Sequence, residues 1–172
     1  MVDDLVDSRR TEPPFILGER DMLEQWLEFH RMTLVLKTEG LDDVARKARP
    51  VPTSKLSLHG LVRHMAEVER GWFRRVLLRA PETPSIWYDA DVEDSELVPL
   101  DDADWEADLA AFLAECEASR AASEGKGLDD TGTRGGEPCS LRWIYVHMIE
   151  EYARHNGHAD LIRELLDGAV GW

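Results

Sequence analysis

The sequence predicts an all-α protein, a four-helix bundle with a long crossover between the second and third helices. Two observations predict it. Apolar residues recur at steps of three and four in four separate segments, which marks one face of a helix each time, and no segment alternates as a strand would. Stretches bearing proline or glycine separate those segments, and proline does not suit a helix interior. Two of these separators are long, and bundles with long connections build their sites from inward side chains on facing helices.

Residues 1–18 read as a poorly structured N-terminal extension, polar and mixed in charge, passing through Pro13 and Pro14. The first helix carries Leu23, Trp26, Leu27, His30, Leu34 and Val35 on one face, and Gly40 suits its C-terminal end. A loop with Pro50 and Pro52 follows. Ser57 is a suitable N-cap for the second helix, whose stripe is Leu58, Leu61, Val62, Met65, Val68, Trp72, Phe73 and Val76. From Pro81 to Pro99 the chain is acidic, holds three prolines and has no sustained period. A connection on the order of 20 residues often does more than join helices. The third helix shows Trp105, Leu109, Phe112, Leu113 and Cys116, and Gly125 to Gly136 reads as a flexible loop. Ser140 caps the fourth helix, with Leu141, Ile144, Tyr145, Met148, Ile149, Tyr152, Ala159, Ile162 and Leu166 on its stripe and an end near Gly168.

Composition sets further bounds. The 172 residues suit one domain, 1–172, with a sizeable core. With 35 Asp and Glu against 20 Lys and Arg, the net charge of −15 repels phosphate backbones and anionic headgroups, so neither nucleic acid nor a membrane surface is expected as a partner. No apolar run of about 18 residues is present, and no signal-peptide h-region precedes Pro14. The two cysteines, Cys116 and Cys139, cannot form a disulfide scaffold, which fits a reducing cytoplasm.

The chemistry concentrates in HMIEEYARHNGH, His147 to His158. At about 100° per residue, Glu151 and His155 share a face one turn apart, and His147 and His158 fall within roughly 40° of Glu151. That face overlaps the apolar stripe, whereas Glu150 points outward. An unpaired carboxylate facing the bundle interior is costly, and a divalent metal resolves the cost by accepting carboxylate and imidazoles together. His64, at the edge of the second helix's stripe, is the best third ligand. A His64, Glu151 and His155 set leaves positions open for water or substrate, as in catalytic rather than closed structural sites.

Blander readings stand beside this one. A lone histidine on a half-buried face is more often a hydrogen-bonded core residue, and a Glu/His pair one turn apart is often only a surface pair. His30 reads as core, His59 as solvated or engaged with the helix end, and His147 as a group behind the ligands. His158 orients Glu151, lines the pocket or is solvent-exposed. Cys139 precedes a helix N-terminus, which favours a thiolate, yet a small buried residue is the commoner case. Cys116 reads as core, as do Trp26, Trp72, Trp105, Trp143 and Tyr152. The acidic residues Asp89, Asp91, Glu93, Asp94 and Glu96 read as a solvated loop, since calcium-loop spacing and its glycine are absent.

The segments LSLHGLVRHMAEVERGWF (Leu56 to Phe73) and LRWIYVHMIEEYARHNGHADLIRELLDG (Leu141 to Gly168) closely resemble the DinB-like superfamily in its DUF664 branch. The resemblance runs from about Glu19 to Gly171. It implies a DinB/YfiT-like up-down-down-up bundle and a metal held by three side chains: a histidine on the second helix, falling on His64, and a pair on the last helix, falling on Glu151 and His155. Glu151 departs from the family's His-x-x-x-His pair and matches the Glu-x-x-x-His variant of mycothiol-dependent relatives of the maleylpyruvate isomerase type. The carboxylate leaves the ion open among zinc, nickel and manganese, zinc or nickel being favoured. Relatives use low-molecular-weight thiols such as mycothiol or bacillithiol, and the metal would deprotonate the thiol near neutral pH.

The reading favoured by these residues is a metal-dependent thiol S-transferase, with mycothiol as cosubstrate, a small electrophile as the second substrate, and His158 or His147 as a proton relay. Its rivals are a metal-dependent hydrolase that activates water and a non-catalytic metal-holding stress-response protein. A homodimer is expected from the resemblance.

Overall fold

In a computed structural model, which describes residues 9–99 and 101–171, five helices and one small hairpin follow in order. They are α1 (Glu19–Leu36), α2 (Asp43–Lys47), α3 (Leu58–Glu69), α4 (Trp105–Ser123), β1 (Thr131–Arg134), β2 (Glu137–Ser140) and α5 (Leu141–Asp167). The chain is thus mostly helical. Residues 1–8 of the expected loose extension lie outside the described residues. Residues 9–18 form no regular element, yet Arg10 is buried against the Phe29 ring of α1.

The caps fall where local chemistry puts them. The Ser57 hydroxyl accepts from the Gly60 N–H at 3.1 Å and Ser140 from the Trp143 N–H at 3.2 Å, each satisfying an orphan donor of a first turn. Gly168, with φ at 76°, closes α5 in the left-handed region. Gly40 does not close α1 itself. The helix ends at Leu36, and Gly40 sits beyond it in the following turn.

Helix α1 lies against α5, and α3 lies against both α4 and α5. Their fully buried residues, among them Leu27, Leu34, Leu61, Met65, Phe112, Ile144, Met148 and Ile162, form one apolar core. At its centre is a polar knot. The Arg31 guanidinium of α1 donates from Nε to Glu69 Oε1 at 2.7 Å and from Nη2 to Glu69 Oε2 at 2.6 Å. The Tyr152 hydroxyl of α5 donates to Glu69 Oε1 at 2.7 Å, and the Cys116 thiol of α4 lies 4.0 Å from the same oxygen. One carboxylate at the end of α3 therefore binds groups from α1 and α5 and touches α4. Burial pushes the Arg31 guanidinium toward losing its proton, but Glu69 outweighs it and holds Arg31 well above its ordinary range. Burial, with Cys116 and Glu69 beside it, keeps the Tyr152 phenol protonated.

Several expectations are corrected here. Past Glu69 the helix continues as a π-helical stretch, Arg70–Leu77, in which the Leu78 N–H reaches back five residues to the Phe73 carbonyl at 3.1 Å. Thr131 to Ser140, expected in part as flexible loop, pairs as an antiparallel hairpin. The hairpin lies directly on the π-helical stretch: a Cβ at Gly132 would come within 2.1 Å of the Val76 carbonyl oxygen, so only glycine fits. His59, expected to be solvated or engaged with the helix end, is fully buried, bonded to Asp108 at 2.7 Å and packed edge-on against Trp105. Trp143 and Leu113, expected in the core, are 46% and 44% exposed. Trp143 stacks instead on His147 at the outer side of α5.

The crossover is strapped to α3. The buried Glu67 Oε1 accepts the N–H groups of Ile86, Trp87 and Tyr88 at 2.5, 2.7 and 3.1 Å. At the other end the Leu97 carbonyl presses on Gly60, where an added Cβ would stand 1.9 Å from its oxygen.

Removing the central carboxylate tests the knot. Glu69→Ala leaves the Arg31 charge buried without its main partner, and the expected loss is about 3–5 kcal/mol in urea unfolding. Glu28, the more exposed partner of Arg31, is expected to cost below about 1 kcal/mol when changed to alanine. Equal losses from the two variants would contradict the central place given to Glu69.

Candidate metal centre

His64, Glu151 and His155 come together between α3 and α5. One ligand atom from each lies within 4.8 Å of the other two. The His64 and His155 rings meet edge-on at 4.8 Å between centroids, and His155 Nε2 is 3.5 Å from Glu151 Oε2. Helical spacing aligns Glu151 with His155, and the packing of α3 on α5 brings His64 opposite them. All three side chains are partly shielded from water.

A second group overlaps the first. His147, Glu150 and Glu151 also offer ligand atoms within 4.8 Å, with His147 Nε2 3.5 Å from Glu151 Oε1. Glu150 is exposed and is drawn to Arg154, and all three residues sit on one helix. The group spanning two helices is the better-enclosed of the two. Two imidazoles and one carboxylate are a donor set that zinc, nickel or manganese accepts, and three protein ligands leave coordination positions open.

The surrounding groups keep imidazole lone pairs available. Burial, reinforced by neighbouring His64 and His158, pushes His155 down to about 3, so its ring is neutral at physiological pH. His158 Nδ1 lies 3.4 Å from His155 Nδ1, in a position to orient that ring. Burial also lowers His147, despite the opposing pull of Glu151 and Glu150. His147 stacks on Trp143 and meets Trp72 edge-on at 4.5 Å. His30 is held apart from this group, beside the Asn156 amide.

The crossover adds a residue that the sequence reading left in solvent. Asp89, Asp91 and Glu93 are exposed as expected, but Glu96 turns inward, its Oε1 3.3 Å from His64 Nδ1. Nothing local separates Glu96 from its acidic neighbours; only the docking of the crossover does. His64 and Glu96 border a cleft of about 370 Å³, walled by Trp72, Tyr88, Arg75 and Arg134. Arg134 from the hairpin lies over the Trp72 ring at 4.4 Å. A larger hollow of about 940 Å³ opens elsewhere, among Arg20, Glu24, Arg120 and Lys126, and includes none of the three clustered residues. The cysteines contribute no thiolate: burial raises Cys139, and it pushes Cys116 above the range of any physiological titration.

The lowered histidines fix a pH dependence for the metal-free protein. The unfolded chain takes up protons near pH 6.5, whereas folded His155 resists them to about 3. Stability is therefore fully present above about 6.5 and is lost as pH falls toward 3, where the unfolded state binds the extra proton. His155→Gln is expected to flatten the fall of melting temperature between about pH 6.5 and 4. An unchanged slope would contradict the placement of a neutral, buried His155.

No curated protein matches the sequence. The pattern of the family described as Mycothiol-S-transferase matches residues 22–168, which include α3, α4, α5 and all three clustered residues. The chain therefore belongs to the mycothiol-S-transferase family, within the DinB-like superfamily.

Proposed function

We propose that the protein is a metal-dependent S-transferase that joins mycothiol to a small electrophile, working as a four-helix bundle of the DinB-like type. The observation that carries the metal part is the convergence of His64, Glu151 and His155 from two helices, with His64 bordering an open cleft. The family supplies the thiol part.

His64 and His155 would give nitrogen and Glu151 oxygen to the ion. A divalent ion held there acts as a Lewis acid that brings a thiol's pKa toward neutrality. The chain's own groups do the rest. His155 offers its lone pair without first losing a proton, because burial already keeps the ring neutral. His158 steadies His155, and His147 steadies Glu151 from the opposite side. To these two histidines we assign the relay of a proton released at the site. The cleft wall of Trp72 and Tyr88 presents apolar surface to an electrophile beside His64, while Arg75 and Arg134 add positive charge.

Turnover tests this reading. Purified protein with one equivalent of zinc or nickel is expected to conjugate a reporter electrophile with mycothiol. His155→Ala is expected to fall to the uncatalysed background while remaining folded. Hydrolysis of an amide or ester at a rate indifferent to mycothiol would favour the water-activating alternative and overturn the transferase reading.

A further inference from the structure

The acidic crossover delivers one carboxylate to the candidate site, and we propose that Glu96 is a positioning residue for the metal, acting through His64. The inference rests on the metal reading above. Glu96 Oε1 stands 3.3 Å from His64 Nδ1. With Nδ1–H donating to that carboxylate, the ring's lone pair lies on Nε2 and its orientation is fixed, which raises the ring's strength as a ligand.

A second observation points the same way. Glu96 Oε2 is buried and has no hydrogen-bond partner among the described residues. A buried carboxylate oxygen without a partner is costly, and a cation one ring away offsets that cost. Glu96 is not among the residues whose ligand atoms converge within 4.8 Å, so it reaches the ion by way of the imidazole.

The fold holds Glu96 in this place from both sides of His64. Gly60, four residues before His64, receives the Leu97 carbonyl in a space no Cβ could share. Glu67, three residues after His64, binds the backbone of 86–88 through one carboxylate oxygen. The strap and the histidine thus ride on the same two turns of α3. Lys55 adds a bond to Asp94 at 2.8 Å, two residues from Glu96.

The test is zinc affinity by chelator competition, with cobalt absorption to report coordination number. Glu96→Ala is expected to bind zinc about 10–100-fold more weakly, with the cobalt coordination number unchanged. Glu96→Asp, one methylene short of His64, is expected to lose at least about tenfold, and it carries the test should the alanine variant not fold. Glu96→Gln keeps an acceptor oxygen and is expected to recover most of the affinity. Ring-nitrogen NMR of the metal-free protein is expected to show His64 as the Nδ1–H form in wild type and as a mixture of tautomers in Glu96→Ala.

Zinc bound equally tightly by wild type, Glu96→Ala and Glu96→Asp would overturn the inference and leave the metal reading intact. A lower cobalt coordination number in Glu96→Ala would make Glu96 a ligand and overturn it as well. Wild-type protein that takes up no zinc, cobalt or nickel would overturn both.

Discussion

One buried carboxylate sets the arrangement on which the site depends. Glu69 is inaccessible to water, and an unpaired charge there would be prohibitive. Its oxygens are therefore committed to Arg31 of α1 and Tyr152 of α5, with Cys116 of α4 alongside. Apolar packing alone tolerates sliding of one helix along another, because one buried methylene resembles the next. A bidentate ion pair does not tolerate it, since a shift of an ångström or two leaves a charge unmatched. Tyr152 directly follows Glu151, and Glu69 lies little more than one turn beyond His64. The bond between Glu69 and Tyr152 thus aligns α3 and α5 at the level where His64 faces Glu151 and His155.

On that alignment the site is built by graded exposure. The knot is dry; His64, Glu151 and His155 lie one step outward and partly shielded; the cleft that His64 borders is open. Burial keeps the His155 imidazole neutral, and the opening admits a second molecule. The π-helical stretch and the hairpin serve the outer wall. The first lines the cleft with Gly71, Trp72 and Val76, and the second lays Arg134 across Trp72. π-helical turns occur often at functional sites, and here the widened turn borders the candidate one.

Much of this was legible in the sequence, for a definite reason. Period, caps and the i, i+4 relation are local, so four long helices, the caps Ser57 and Ser140, and the pairing of Glu151 with His155 follow from neighbours in the chain. His64 is a candidate from the sequence because it edges an apolar stripe, and the fold brings it to Glu151 and His155. What escaped depends on distant partners. Glu69 and Arg31 are 38 residues apart, and His59 and Asp108 are 49 apart. A signal existed for the first pair, since Glu69 falls four after Met65 and Arg31 four after Leu27, placing charges on apolar faces. The hairpin gave none, because Thr131–Arg134 and Glu137–Ser140 are short, mostly polar and without alternating apolar residues. No helix among the described residues is long and apolar enough to cross a membrane, as the absence of long apolar runs had led us to expect.

Whether two helices and three side chains hold one ion is decided by elemental analysis of tag-free protein, wild type beside Glu151→Ala. About one divalent transition metal per chain in the wild type, lost in the variant, is the result expected from three ligands around an open coordination sphere. Equal and negligible metal in both proteins would contradict it and leave His64, Glu151 and His155 as a buried polar cluster with no ion to serve.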